Sequence, residues 1–222
     1  MIRLLTRVIL PAAFVAAAGA VAMSAIRSDP SPSPSSPRIA APAPLASPRS
    51  EQGPRIWYPA GQYPRPGLPD GEQRVVKSVL NVPRTMHFGD YVWNEEHVPR
   101  EGETWVRIDL AHQLLSVFRD GHEIGSAVII YGTDGKPTPT GIFPIMEKQQ
   151  DHYSSLYDAE MPFMLRLTGD GVAIHASNVR RGFATHGCIG VPRAFAAMLF
   201  AAVKRGDVVA ILPPAGTPAR KT

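Results

Sequence analysis

The 222-residue chain contains a single cysteine, within the run Thr185-His186-Gly187-Cys188-Ile189-Gly190, and a second histidine, His175, lies thirteen residues upstream in Val172-Ala173-Ile174-His175. Thiolate is the attacking form of cysteine, and a nearby imidazole either lowers the thiol pKa or takes its proton. Gly187 leaves room for a turn whose backbone N–H groups face a developing oxyanion. Free cysteine is often just a small buried hydrophobe. Here the polar Thr-His-Gly flank is not the lining of an apolar pocket, so the two readings stay open on residue types alone. A zinc site from His175, His186 and Cys188 is a third reading, but no Cys-x-x-Cys or second ligand pair completes it. The residue pattern therefore implies no metal and no organic cofactor.

The ends of the chain indicate where this chemistry takes place. Arg3 and Arg7 precede an uncharged stretch from Val8 to Ile26. Small residues around Ala18-Gly19-Ala20 and Ala20-Val21-Ala22 offer cleavage sites, so residues 1–26 read as a signal peptide or as a membrane anchor. Either way the chain is exported, to the periplasm or cell envelope, with tethering to the inner membrane as one alternative. Residues 27–74 read as a Pro-rich linker, with Asp29-Pro30-Ser31-Pro32-Ser33-Pro34 and Ala41-Pro42-Ala43-Pro44 as its plainest part. Such composition favours disordered, extended polyproline geometry and acts as a spacer. An exported chain with one unpaired cysteine points to a free reactive thiol.

The formal net charge of +4 might suggest nucleic acid as a partner. However, six basic and two acidic residues fall in 1–55, and two basic and no acidic residues in 213–222, so residues 56–212 carry net negative charge. No stripe of basic and aromatic residues appears there, and nucleic-acid binding is excluded as a reading.

The elements that must position the thiol follow from periodicity. Trp105–Leu110 and Leu115–Phe118 alternate as strands around a turn at Arg119-Asp120-Gly121-His122. Ala127–Tyr131 is a further strand that ends in a loop of turn residues from Gly132 to Gly141. Ile142–Ile145, Phe163–Leu167, Val172–His175 and Val208–Leu212 continue the pattern. One helix is expected from Pro192 to about Lys204, with Phe195, Met198, Leu199, Ala202 and Val203 on its core face and Gly206 at its exit. Its N-terminus, just after Cys188, modestly favours thiolate. The fold class is mainly β, with one helix on the C-terminal side. Residues 75–99 are expected to pack on the domain as an N-terminal extension, the domain itself to occupy 100–212, and 213–222 to form a tail.

The order of motifs then becomes specific. An alternating strand pair joined by Asp-Gly, Thr138-Pro139-Thr140-Gly141, Met161-Pro162, Ile174-His175 and Thr185-His186-Gly187-Cys188 together resemble the L,D-transpeptidase catalytic domain of bacterial cell-wall enzymes, over about residues 104–212. The resemblance implies a β sandwich or barrel. It implies Cys188 as nucleophile, His175 as proton donor and acceptor, and His186 in an orienting role, with Gly187 and Thr185 shaping the turn and oxyanion site. It also implies peptidoglycan stem peptides as the partner. Cys188 would attack the carbonyl after the third residue of a stem tetrapeptide, releasing D-alanine, and an amine acceptor would take the thioester to give a 3–3 cross-link. Residues 146–162, with Tyr153 and Tyr157, resemble the family's substrate-covering flap.

The chain departs from the family at Gly190, where Arg or Asn is usual. Arg180, Arg181 and Arg193 lie near in sequence and can supply a bidentate carboxylate contact instead. A carboxypeptidase acting on the same substrate and a non-catalytic peptidoglycan-binding module are the alternatives. A sortase-like enzyme would need a later-strand arginine and a wider His–Cys separation, and the sequence has neither.

Overall fold

The computed structural model describes residues 50–52, 55–82, 85–132, 135–155 and 158–214. The expected export segment 1–26, the linker as far as residue 49 and nearly all of the 213–222 tail lie outside the described residues. Among the described residues, no helix is long and apolar enough to cross a membrane.

The described chain is mainly β with one helix. The strands are β1 (Ser50–Gln52), β2 (Arg55–Trp57), β3 (Ser78–Leu80), β4 (Tyr91–Trp93), β5 (Thr104–Asp109), β6 (Leu114–Arg119), β7 (His122–Val128), β8 (Gly141–Pro144), β9 (Glu147–Gln149), β10 (Tyr153–Ser154), β11 (Ala159–Glu160), β12 (Met164–Arg166), β13 (Ala173–Ala176), β14 (Ile189–Val191) and β15 (Val208–Leu212), and the helix α1 is Arg193–Ala202. One large sheet runs β1-β2-β3-β7-β6-β5-β15-β8, with β4 also paired to β7, and a second runs β14-β13-β12-β9. The strand β10 pairs only with β11.

Alternation along β5 explains why the large sheet is covered on both faces. Val106 and Ile108 point into the main core with Leu115, Val117, Ile124, Val209 and Ile211 on one side and Leu165, Ile174, Ile189, Phe195 and Leu199 on the other. Trp105 points the opposite way and stacks on Phe118, with ring centroids 4.4 Å apart. Burying such a side chain contributes about 2–3 kcal/mol, provided something covers the outer face.

Leu68 and Val76 provide that cover, in one cluster with Trp105, Phe118 and Ala210. This corrects the 27–74 linker boundary: residues 55–74 are part of the folded unit. Prolines do not prevent this, because the strap runs extended and bonds through its other backbone groups. Tyr58 N–H donates to Lys77 C=O (2.9 Å), Leu68 N–H to Glu72 C=O (2.8 Å), and Val76 N–H to Pro64 C=O (2.9 Å). Likewise, β3 and β4 in the 75–99 extension are members of the large sheet, both paired to β7. The turn after β6 is also tighter than expected: Asp120 and Gly121 both take positive φ, so His122 already belongs to β7.

Helix α1 is shorter than the expected Pro192–Lys204. Pro192 is its N-cap, and Val203, already extended, is its C-cap. Phe195, Ala196 and Leu199 are its buried face. The terminal carbonyls find a partner on the smaller sheet, since Lys148 Nζ donates to Phe200 C=O (2.6 Å) and to Val203 C=O. A cation at a helix C-terminus is favoured by the dipole, and this one ties α1 to β9.

Candidate active site

β13 and β14 are parallel neighbours, with Ile174 opposite Ile189, His175 opposite Gly190, and Ala176 opposite Val191. Ile174, Ala176, Ile189 and Val191 are buried in the main core. The two-residue period of a strand therefore turns Ala173, His175, Cys188 and Gly190 to the other face. There Cys188 packs with Ala173, Met161 and Met164 in a small separate cluster. β13 and the residue just before β14 thus turn His175 and Cys188 to the same face.

The turn that carries Cys188 is fixed by two hydroxyls. Thr185 Oγ1 donates to Cys188 C=O (2.5 Å), and Thr138 Oγ1 donates to Gly187 C=O (3.0 Å) while accepting Gly132 N–H (2.9 Å). Gly187 sits at φ +101°, a conformation that disfavours any side chain. Thr185 therefore shapes the turn, and its hydroxyl is committed to a carbonyl. Sequence reading did not single out Thr138 as a structural clamp, although it belongs to the Thr138-Pro139-Thr140-Gly141 motif.

The electrostatics differ from a preformed ion pair. His175 Nδ1 lies 2.9 Å from Ala176 C=O. A carbonyl only accepts, so Nδ1 carries the proton and Nε2 is left as a lone-pair acceptor. Burial pushes the His175 pKa below its usual value. The Ala176 carbonyl opposes that shift and the charge of His152 adds to it. Cys188 is 7% exposed, with Sγ 3.8 Å from Gly171 C=O. Burial raises its thiol pKa; a hydrogen bond from the Ala173 backbone and the charge of Lys136 work against this, and Asp170 adds to it. Burial thus acts against both ions, the Cys188 thiolate and the His175 imidazolium.

The remaining candidates are more peripheral. His186, Arg180, Arg181 and Arg193 are exposed. The Arg193 guanidinium lies 5.6 Å from the Phe163 ring centroid. Tyr153 is exposed on β10 and its hydroxyl donates to Asp158, while Tyr157 lies outside the described residues. The 146–162 segment is anchored at its base: Met161 N–H donates to His152 C=O (2.8 Å), and Ala176 N–H donates to Pro162 C=O (2.9 Å). His152, which nothing in the sequence spacing marked, is near enough for its charge to act on His175.

Gly190 has a packing reason. A Cβ there would stand 2.7 Å from both Ile130 Cγ1 and Ser177 Cβ, so the space of a side chain is already filled. Among the described residues, no group of three or more His, Cys, Asp or Glu side chains is gathered to hold a metal ion.

These features define a mainly β protein with a cysteine–histidine face on a parallel strand pair. Residues 103–211 match the model of the YkuD family, the L,D-transpeptidase catalytic domain, and this domain of the chain belongs to that family. Among solved structures, an L,D-transpeptidase from Stackebrandtia nassauensis is similar at 26% identity, covering 52% of this chain and 58% of that one, with a TM-score of 0.48. An L,D-transpeptidase from Mycobacterium smegmatis is similar at 22% identity, covering 50% and 59%, with a TM-score of 0.47. One from Enterococcus faecium, solved as a cysteine-to-serine mutant, is similar at 24% identity, covering 52% of each chain, with a TM-score of 0.46. The chain therefore spans little more than half the length of these structures. No curated protein matches the chain.

Proposed function

We propose that the protein is an exported, cysteine-dependent peptidoglycan L,D-transpeptidase. The observation that carries this reading is the placement of Cys188 and His175 on one face of adjacent strands, inside the segment that matches the catalytic-domain family. His175, whose imidazolium is disfavoured by burial and whose Nδ1 is engaged by the Ala176 carbonyl, takes the Cys188 proton on Nε2 as sulfur attacks the carbonyl after the third residue of a stem tetrapeptide. The bond to the terminal D-alanine breaks, and the imidazolium returns its proton to the leaving amine. An acceptor amine then attacks the thioester, regenerating the thiol and leaving a 3–3 cross-link. Backbone N–H groups of the Gly187–Cys188 turn are assigned to the oxyanion. His186 is assigned to orienting the turn, and Tyr153, Tyr157, Arg180, Arg181 and Arg193 to the rim of the substrate groove. Residues 1–26 serve as export signal or anchor, and the chain from 27 to the start of the folded unit as a spacer toward the wall.

The test is mass spectrometry of the full chain incubated with purified stem tetrapeptides and an amine acceptor. Cross-linked product with stoichiometric D-alanine supports the assignment. Tripeptide alone assigns the protein to hydrolysis, and unchanged peptides overturn the reading.

A further inference from the structure

Two charged side chains act on the Cys188 thiol: Lys136 favours its anion and Asp170 disfavours it. Asp170 accepts a hydrogen bond from the Thr168 hydroxyl. Lys136 is half-buried and lies along the nucleophile turn, its Cγ 3.7 Å from where a Cβ on Gly187 would stand. The close approach is built in. A Cβ on Gly132 would stand 2.3 Å from the Lys136 carbonyl and 2.7 Å from Gly187 N, so only glycine lets the loop and the turn meet. Thr138, two residues after Lys136, then clamps that loop to the turn through Gly132 N–H and Gly187 C=O.

Gly190 leaves no place for a cation at its own position. The position of a side chain there is occupied by Ile130 and Ser177, and Arg180, Arg181 and Arg193 are exposed. An anionic group borne by a substrate whose carbonyl reaches Cys188 therefore comes under the field of Lys136, close to sulfur and partly shielded from water.

We propose that Lys136 is the carboxylate-recognising residue of this site, its ammonium taking the free α-carboxylate of the residue that leaves when Cys188 attacks. The identity of that residue as a terminal D-amino acid rests on the transpeptidase reading; the recognition of a carboxylate at sulfur does not. Lys136 so placed holds the scissile carbonyl over Cys188 and makes a donor with a free C-terminus bind more tightly than one without.

The test uses the chain's single cysteine. Rates of Cys188 alkylation are measured with iodoacetate, which carries a carboxylate, and with the neutral iodoacetamide, on wild type, K136M, K136Q and K136R. In each reaction sulfur displaces iodide from the same kind of carbon, so the ratio of the two rates isolates the carboxylate. The expected result is a fall of about tenfold in the iodoacetate-to-iodoacetamide ratio for K136M and K136Q, with K136R close to wild type. An unchanged ratio in both neutral variants overturns the proposal.

A second arm compares tetrapeptide donors ending in a free carboxylate or in an amide. K136M is expected to raise KM about tenfold for the acid and to leave the amide unaffected. Equal effects on both donors overturn it. If wild type turns over neither donor while the alkylation ratio still falls, the transpeptidase reading fails and the carboxylate site stands. Turnover with an unchanged ratio does the reverse: the transpeptidase reading stands and Lys136 loses its role in carboxylate recognition.

Discussion

A buried and a half-buried histidine of this protein, His122 and His175, share a lowered pKa but sit in different surroundings. His122, at the start of β7, has Nδ1 2.9 Å from the Ser78 hydroxyl and packs edge-on against Trp57 at 5.2 Å. Arg55 joins the same cluster, donating to Ser78 Oγ (3.1 Å), to Asn94 C=O (2.7 Å) and to Glu123 C=O, while Glu123 Oε2 accepts Leu80 N–H (2.9 Å). Burial lowers the His122 pKa, Lys77 and Arg55 add to the shift, and Asp120 opposes it. His175 is lowered by burial too, yet its ring is held by one backbone carbonyl, and its face is shared with a thiol. A perturbed histidine is therefore not in itself a functional sign. What separates the pair is company: His122 sits among Arg55, Ser78 and Trp57, whose contacts staple β2 and β3 to the sheet, whereas His175 shares its face with a thiol.

The comparison breaks most visibly at the thiol. Cys188→Ala is expected to reduce turnover to background, a loss of at least about 10⁴-fold, with the fold retained because little volume is removed. D-Alanine release by the folded variant above background would reject the nucleophile. His175→Gln should cost about 10²–10⁴-fold in kcat, the scale of a lost general base. His122→Gln should leave kcat within about threefold, since the groups around His122 belong to the structural cluster. Equal losses from the two histidine variants would mean that the structural network and the thiol face do not differ in function.

Stability should show the opposite ranking. Arg55 is 2% exposed, and its removal strands acceptors on Ser78, Asn94 and Glu123. Arg55→Ala is expected to destabilise the protein by about 3 kcal/mol in denaturant unfolding, because breaking a buried charged network leaves its partners uncompensated. A loss below about 1 kcal/mol would mean that the N-terminal strands are held by apolar packing alone. Gly190→Ala tests the active-site face by overpacking. Its Cβ meets Ile130 and Ser177 at 2.7 Å, for an expected cost of about 1–3 kcal/mol, part of which Ile130→Ala in the same chain should restore.

How much of this was legible in the sequence follows the same division. Alternation marked β5, β6, β8, β12, β13 and β15 because each has an apolar face set by neighbours in a regular sheet. Cys188 and His175 were singled out as candidates because residue type and motif order point to that chemistry. Arg55 and Leu68 were not, since a Pro-rich composition reads as spacer unless the uncovered face of Trp105 is known, and that face exists only in three dimensions. Lys136 and His152 were missed for a related reason. Their meaning comes from a loop clamped by Thr138, from Met161 N–H donating to His152 C=O, and from Ala176 N–H donating to Pro162 C=O, contacts that no local period records.

The smallest effect sharpens the comparison further, through pH. The folded-state pKa of His122 is depressed below its ordinary value near 6.5. Below about pH 6.5 the unfolded chain takes up a proton that the native state still refuses, so stability present above that pH is lost as pH falls through the window down to the folded value. Glu123 acts with the opposite sign. Burial raises its carboxyl, despite hydrogen bonds from Ser116 and Leu80 that favour the anion, so its contribution is present at acid pH and lost as pH rises through the raised value. His122→Gln removes only the first of these. Relative to wild type, the variant is expected to gain stability steadily from pH 7 to pH 5, in unfolding curves recorded at each pH. Meanwhile the acid limb of kcat/KM, which reports protonation of the free enzyme's base, should stay in place, because the base proposed above is His175 and not His122. Parallel stability curves would show that His122 keeps its proton balance on unfolding. A displaced acid limb would show that the stapled region and the catalytic face titrate as one system, and the division between them would fall.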